Sequence, residues 1–346
     1  MISLSFFNNK GGVGKTTLAC NVAAFMAERS EPRLRVLIVD ADPQCNATQL
    51  ILGEEKVTKL YAAEATQSTL AGVLMPISHG EAVIDKNITP LSAADNRFGV
   101  DLLPGHPHMS LVEDRLATEW GKVMGGDVGG IRKTNWCRQL LEGVKESYDL
   151  VIFDLGPSLG ALNRTVLIGV DAFVTPMGCD IFSIMGIKNI SEWLTAWTGE
   201  YKLGLRHCEN RERGVLAHYG MTADPDDKYR FVGYTVQQYI TKSIRGERRA
   251  TRAYEEIKSE IPAAVDAHLS RFLRPGTDPA KLKLGDIPHL FSLVPLAQSA
   301  NAPIHDLTSK DSLVGSQFQQ QQVYIGMVQP VVDQLRSNIG LGGSDV

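Results

Sequence analysis

FFNNKGGVGKTTLACNVAAF, Phe6–Phe25, is the stretch from which the fold follows. Its glycines Gly11, Gly12 and Gly14 come after an apolar run with strand character and before a run with helical character. Between a strand and a helix, backbone N–H groups can wrap phosphate oxygens while the helix N-terminus adds its dipole. The strict form of such a loop is G-x-x-x-x-G-K-[ST]. Counting back from Gly14, Lys15 and Thr16 puts Asn9 where the first glycine belongs, and Lys10 follows it. Lys15 is expected to neutralise the β- and γ-phosphates, the Thr16 hydroxyl to sit on Mg2+, and Thr17 to contact the α-phosphate. A glycine turn that binds nothing would leave two lysines crowded at a helix N-terminus with no anion to offset their repulsion.

Outward from the loop, short apolar runs rich in β-branched residues recur: ISLSFF (2–7), RVLIVD (35–40), VDLLPG (100–105), DLVIFD (149–154), AFVTPM (172–177), FVGYTV (231–236) and LFSLVP (290–295). Each has the length and composition of a buried strand. Helical patterns fall between them, at about 15–29, 110–119, 131–147, 160–169, 183–199, 245–272 and 315–337. Strand alternating with helix requires parallel crossovers, which predicts an α/β fold: a doubly wound, mostly parallel sheet with helices on both faces. Two segments, 53–98 and 200–230, break the rhythm. Strand-like runs of one series flank both, so they are expected as helical or loop insertions into a single domain over 1–337. Residues 338–346, ending in GLGGSDV, are expected as a flexible tail. The glutamines 319–322 fall in a helical pattern and read as an exposed helix face.

With 346 residues, 43% hydrophobic and 21% charged, the chain has the make-up of an ordinary soluble globule, which excludes long disorder and fibrous repeats. A net charge of -4 excludes wholesale basicity, so any nucleic-acid contact has to come from a local patch. Cys20, Cys45, Cys137, Cys179 and Cys208 contain no C-x-x-C pair. That argues against a disulfide framework, a zinc site or an iron–sulfur cluster, and for a reducing cytoplasm. No stretch approaches the roughly 20 apolar residues that span a bilayer, and the first residues enter a strand without a basic leader. His106 and His108, in PGHPHM, have no acid or cysteine at ligand spacing, so a surface loop is expected there rather than a metal site.

KGGVGKTT, Lys10–Thr17, resembles the deviant Walker A loop of the ParA/MinD family of P-loop ATPases. The resemblance implies that ATP is held by Lys10, Gly11, Gly12, Val13, Gly14, Lys15, Thr16 and Thr17, and that Lys10 crosses a homodimer interface to the partner's nucleotide. A cation arriving in trans neutralises charge on the transferred phosphoryl group, as an arginine finger does. VLIVDADPQCNATQL, 36–50, resembles the family's switch I segment, with two carboxylates at the end of a strand, where ligands bind in open α/β sheets. By that resemblance Asp42 positions the attacking water, and Asp40 lies nearer Lys15 or the Mg2+ shell. The implied catalytic set is Lys10, Lys15 and Asp42. YDLVIFDLGPSLG, 148–160, resembles a Walker B strand and switch II, with Asp154 holding Mg2+ through water beside Thr16 and Asp40. Gly156 stands where the family has the first of two prolines, which is expected to make that loop freer. SLVPLAQSANAPIHDL, 292–307, resembles the segment that packs on adenine, around Pro295, Leu296 and Ala297. Where the family often has an asparagine after the preceding strand, this chain has Gln237 and Gln238.

The output of such a switch is read from TKSIRGERRATRAYEEIK, 241–258, where Lys242, Arg245, Arg248, Arg249 and Arg252 are opposed locally by Glu247. Positions 245, 248, 249 and 252 share one face if the segment is helical. Two readings stand: non-specific DNA binding by the ATP dimer, as in ParA-type partition proteins, or a solvated face paired with Glu255 and Glu256. A membrane output needs a basic amphipathic carboxyl-terminal helix, whereas VVDQLRSNIGLGGSDV carries one arginine. A third reading is an ATPase switch in a signalling or defence assembly that docks a protein effector through its insertions. The expected protein is a cytoplasmic, Mg-ATP-dependent homodimer, nucleoid-associated if it binds DNA, and reset by a partner protein that stimulates hydrolysis.

Overall fold

The uninterrupted apolar runs become strands buried on both faces, and their positions place the loop. The computed structural model describes residues 1–62, 68–222, 230–237, 241–244, 247–250, 252–273, 277–290 and 292–341, with the backbone alone for 241–244, 247–250, 252 and 253. The strands are β1 (Ile2–Phe6), β2 (Val36–Asp40), β3 (Asp101–Leu103), β4 (Leu150–Asp154), β5 (Ala172–Gly178), β6 (Arg230–Gln237), β7 (Thr241–Ile244), β8 (Glu247–Ala250) and β9 (Lys283–Ile287). Seven of them form one sheet in the order β3-β2-β4-β1-β5-β6-β9, every adjacent pair parallel. Successive strand residues face opposite sides. Leu37, Val39, Val151, Phe153 and Phe173 therefore enter one core, while Leu4, Phe6, Ile38, Ile152 and Val174 enter the other.

Helix Lys15–Glu28 fills the second core and is apolar on nearly every side, which is why Leu18 to Met26 are all buried. Helices Trp136–Val144, Ala161–Gly169 and Ile181–Arg211 cover the first. This is the doubly wound α/β arrangement the alternation implied. Because the strands run one way, the ends of β1, β2, β4 and β5 open at one edge. Register makes Asp154 the neighbour of both Asp40 and Phe6.

Several expectations are corrected. LFSLVP is not a strand: Leu293–Ala300 is a helix with Pro295 in its first turn, where a missing N–H costs nothing. The seventh strand is β9, KLGDI, whose polar residues suit an edge position paired on one side with β6. The pattern at 131–147 divides into helices Val128–Thr134 and Trp136–Val144. Of the segment 200–230, expected as a helical or loop insertion, 200–211 continue helix Ile181–Arg211, while 223–229 lie outside the described residues.

The helix expected at 245–272 begins only at Arg252, because β7 and β8 pair as an antiparallel hairpin before it. Of the tail expected over 338–346, the first two residues are helical: helix Ser316–Ile339 includes Asn338, whose Nδ2 donates to Val232 O (2.7 Å) and Lys281 O (2.9 Å). Residues 342–346 lie outside the described residues. The glutamine run is helical, yet Gln321 is buried and donates to Ile304 O and Leu307 O, each at 2.8 Å. His106 is likewise buried, edge-on to Tyr61, and burial with His108 nearby lowers its pKa.

Contacts tie the chain around Gln49 and Arg97 to its last third. Arg97 pairs with Asp306 (2.9 Å) and Asp311 (2.7 Å), and holds the Asp311 carboxyl down at about 2. Asn301 Nδ2 donates to Gln49 O and Leu50 O, each at 3.1 Å. The five cysteines are free and buried. Among the described residues no helix is long and apolar enough to cross a membrane.

Candidate nucleotide site

The loop after β1 stays anchored to the sheet. Phe7 N–H donates to Val174 O (2.9 Å), Asn8 Nδ2 donates to Pro176 O (2.7 Å), and Asn8 Oδ1 accepts from Lys10 N–H (2.9 Å). Gly12 and Gly14 take φ of 74° and 80°, the left-handed region that disfavours any side chain. A Cβ on Gly11 or Gly12 would meet nothing within 4 Å, so the loop's outer surface is open. Gly14 begins helix Lys15–Glu28 without a side-chain cap, which leaves the first helical N–H groups available to an anion.

Lys15 is buried, with Nζ 3.2 Å from Lys10 O. Burial lowers its pKa, and the carboxylates of Asp154 and Asp42 pull it part of the way back. Thr16 Oγ1 donates to Asp154 Oδ2 (2.8 Å), while Asp154 Oδ1 is buried with no hydrogen-bond partner. Burial first, then the neighbouring Asp40, raises the Asp154 pKa well above the carboxylate range. A buried carboxylate oxygen with no partner beside a threonine hydroxyl is a donor set that fits Mg2+.

Asp40 stands beside Asp154, but the loop occupies both of its oxygens. Oδ2 accepts from Thr48 N–H (2.7 Å) and Thr48 Oγ1 (2.6 Å), and Oδ1 accepts from Asp42 N–H (3.2 Å). Its pKa is raised to about 6 by burial, against the pull of Thr48. Asp42 lines the cleft itself, with Oδ1 accepting from Gln44 N–H (3.0 Å) and Oδ2 from Asn46 Nδ2 (3.2 Å).

The loop after β4, with glycine in place of proline, is tied to the helix that follows it. Asn163 Nδ2 donates to Gly156 O and Ser158 O, each at 2.8 Å, and holds it down. Gly156 makes room for Asp42, because a Cβ there would stand 2.9 Å from Asp42 Oδ1. Gly156→Ala is therefore expected to displace the Asp42 carboxylate, lowering turnover by about tenfold to 100-fold with ATP affinity little changed. Phosphate release and calorimetry on the same preparation check this, and equal losses in both would contradict it.

Gly11, Gly12, Gly14, Lys15, Thr16 and Asp42 line a polar cleft of about 840 Å3. Gly14 and Thr17 also line an adjoining, largely apolar pocket of about 240 Å3. Val13 is buried beneath the loop. Of the three residues expected at adenine, Pro295 lines this pocket. Leu296 packs against the core and Ala297 is buried in it, because the segment is helical and turns successive side chains 100° apart. Gln237, which stands where the family often has an asparagine, also lines the pocket, whereas Ile287, His289 and Tyr324 escaped sequence reading.

The basic residues do not share a helix face. Lys242 pairs in register with Arg249 across the hairpin, Arg248 stands beside Arg249 on β8, Arg252 begins the next helix, and Arg245 lies outside the described residues.

A parallel sheet with a phosphate loop at its carboxyl edge and a carboxylate pair on the adjacent strands defines a P-loop nucleotide-binding protein. A family model described as an AAA domain matches residues 1–205. Over 187 residues the chain is 30% identical to the sporulation initiation inhibitor protein Soj of Bacillus subtilis, covering 54% of this chain and 62% of Soj. Over 192 residues it is 32% identical to the chromosome partitioning protein ParA of Caulobacter vibrioides, covering 54% and 60%. The chain thus spans less than two thirds of the length of the curated relatives it matches. Among solved structures, protein DIP2308 of Corynebacterium diphtheriae matches with a TM-score of 0.72 at 34% identity, over 87% of this chain and 97% of that one. Apo McdA of Cyanothece shares the fold, with a TM-score of 0.61 at 17% identity over 98% of this chain and 100% of that one. The chain belongs to the AAA-domain family and is of the ParA/MinD P-loop type.

Proposed function

We propose that the protein is an ATP hydrolase that dimerises around two Mg-ATP molecules and acts in DNA partition or positioning with a partner protein that resets it. The observation that carries this reading is the meeting of Lys15, Thr16 and Asp42 at one cleft, with Asp154 buried behind Thr16, beside an apolar pocket of base size. Phosphates enter the cleft, where Lys15 and the loop N–H groups bind them, and the base enters the pocket over Pro295.

Mg2+, when held at Thr16 and Asp154, supplies the remaining positive charge at the phosphate oxygens. Asp40 fixes the fold of its loop through Thr48 and Asp42, which leaves Asp42 as the carboxylate at the cleft wall to orient the attacking water. Lys10 of each subunit stabilises charge on the other subunit's nucleotide. The segment 241–252 is rich in Lys and Arg, which supports backbone contacts to duplex DNA, made twice over in a dimer.

A specific observation favours the protein-docking reading as the alternative. Ile84 and Ile88 of one interrupting segment and Leu205, Tyr219 and Met221 of the other line a single cavity of about 690 Å3, away from the loop. One experiment separates the two. Light scattering with and without ATP is expected to show an ATP-dependent dimer, and that dimer is expected to bind duplex DNA at low salt. A dimer that ignores DNA moves the output to the docking cavity, and a protein that stays monomeric with ATP overturns both readings.

A further inference from the structure

Lys10 is not free in this subunit: its ammonium is paired with Asp180 Oδ2. We propose that Asp180 is a positioning residue that holds Lys10 within its own subunit, so that the lysine reaches a second copy's nucleotide only after this contact breaks. The proposal rests on the trans role assigned to Lys10 above and adds what restrains it beforehand.

Asp180 cannot follow the lysine. It lies just past the end of β5 and caps helix Ile181–Arg211, with Oδ1 accepting from Ser183 N–H (3.0 Å) and Ser183 Oγ (3.4 Å). The two carboxylate oxygens thus have separate tasks, one for the helix and one for Lys10. The main chain of Lys10 is fixed as well, its N–H on Asn8 and its carbonyl on Lys15 Nζ. What can move is the four-carbon side chain, which has to choose between the carboxylate and a phosphate.

Space has been left for the pair. A Cβ on Gly178 would stand 3.0 Å from Asp180 Oδ2 and 3.7 Å from Lys10 Nζ. Both side chains are 36% exposed, so the pair is accessible and weak enough to exchange. Burial raises the Asp180 carboxyl pKa, but Lys10 and the helix N–H groups outweigh it and hold it below the usual range, so the carboxylate stays charged.

The surroundings indicate when exchange occurs. Ile181, Phe182 and Met185, on the first turns of the same helix, are 53%, 68% and 57% exposed. A second copy covering them would strip water from the pair, and a desolvated pair with imperfect partners is costly. Moving Lys10 onto phosphate oxygens restores charge-assisted hydrogen bonds. The contact therefore opposes dimerisation without ATP and yields once ATP is offered from across the interface.

Asp180→Asn is the clean test, because asparagine caps a helix as well as aspartate while removing the charge. Breaking a half-exposed ion pair shifts an equilibrium by roughly twofold to fivefold, and a dimer breaks two. The protein concentration at half-dimerisation in saturating ATP is expected to fall by about fourfold to 25-fold, and turnover at low protein concentration to rise with it. Asp180→Ser, another capping residue, is expected to act in the same direction, and Asp180→Glu to restore part of the wild-type threshold. A merely structural role for Asp180 could only weaken the dimer. Unchanged or weaker dimerisation in both the Asn and Ser variants, with Lys10→Ala unable to dimerise, overturns the restraint and leaves the trans role standing. If Lys10→Ala dimerises and turns over like wild type, the trans role itself fails.

Discussion

Lys15→Ala is expected to abolish measurable ATP binding. The lysine is buried at the head of helix Lys15–Glu28, with the carboxylates of Asp154 and Asp42 close enough to perturb its pKa. It is the buried cation of a cleft whose other charged walls are acidic, so removing it takes away a charge-assisted contact and leaves phosphate facing carboxylate. The contact alone contributes about 1.5–3 kcal/mol, and the unscreened repulsion adds to that. A loss of at least about 100-fold in affinity follows, since each 1.4 kcal/mol is tenfold. Calorimetric titration with Mg-ATP measures it, and a thermal melt of the variant separates lost binding from lost folding. Near wild-type affinity in a folded variant would remove the phosphate site from this loop.

Asp42→Ala is expected to keep ATP and lose turnover by about 100-fold to 10,000-fold, the range typical of a positioned general base or water-orienting group. Asp42 accepts hydrogen bonds from Gln44 N–H and Asn46 Nδ2 within its own loop. Its removal therefore spares the ligands of phosphate and metal. With chemistry stopped after assembly, the ATP dimer should accumulate, seen as a stable larger species in light scattering while phosphate release disappears. Wild-type turnover in the variant would take Asp42 out of the reaction. Loss of ATP binding would instead make it a ligand residue, with the same consequence for the mechanism proposed here.

These two predictions draw on residues legible in the sequence, and the reason is local. A glycine loop between a strand and a helix, a D-x-D at a strand end and an apolar run closing on Asp154 are each encoded within about 15 residues, where backbone periodicity and turn chemistry act. The doubly wound sheet was legible for the same reason, because buried parallel strands leave continuous apolar runs. Local reading failed where two structures fit one pattern. TKSI and ERRA, separated by two residues including Gly246, have the spacing of a hairpin as well as of a basic helix stripe, and strand pairing won. The polar edge strand KLGDI was hidden and the apolar helix at LFSLVP was misread, because an edge position and a buried helix invert the usual signal.

What the sequence determined by itself is therefore the phosphate loop, the carboxylates at the strand ends and the alternation that makes the sheet. Only the tertiary structure decided which of these groups meet. Lys10 and Asp180 are joined across 170 positions, Gly156 yields space to Asp42, and the apolar pocket beside the cleft collects Thr17, Gln237, Pro295 and Tyr324 from most of the chain's length. Such contacts depend on strand order and register. A parallel sheet sets these only when β1 is inserted between β4 and β5, which no local window of residues contains.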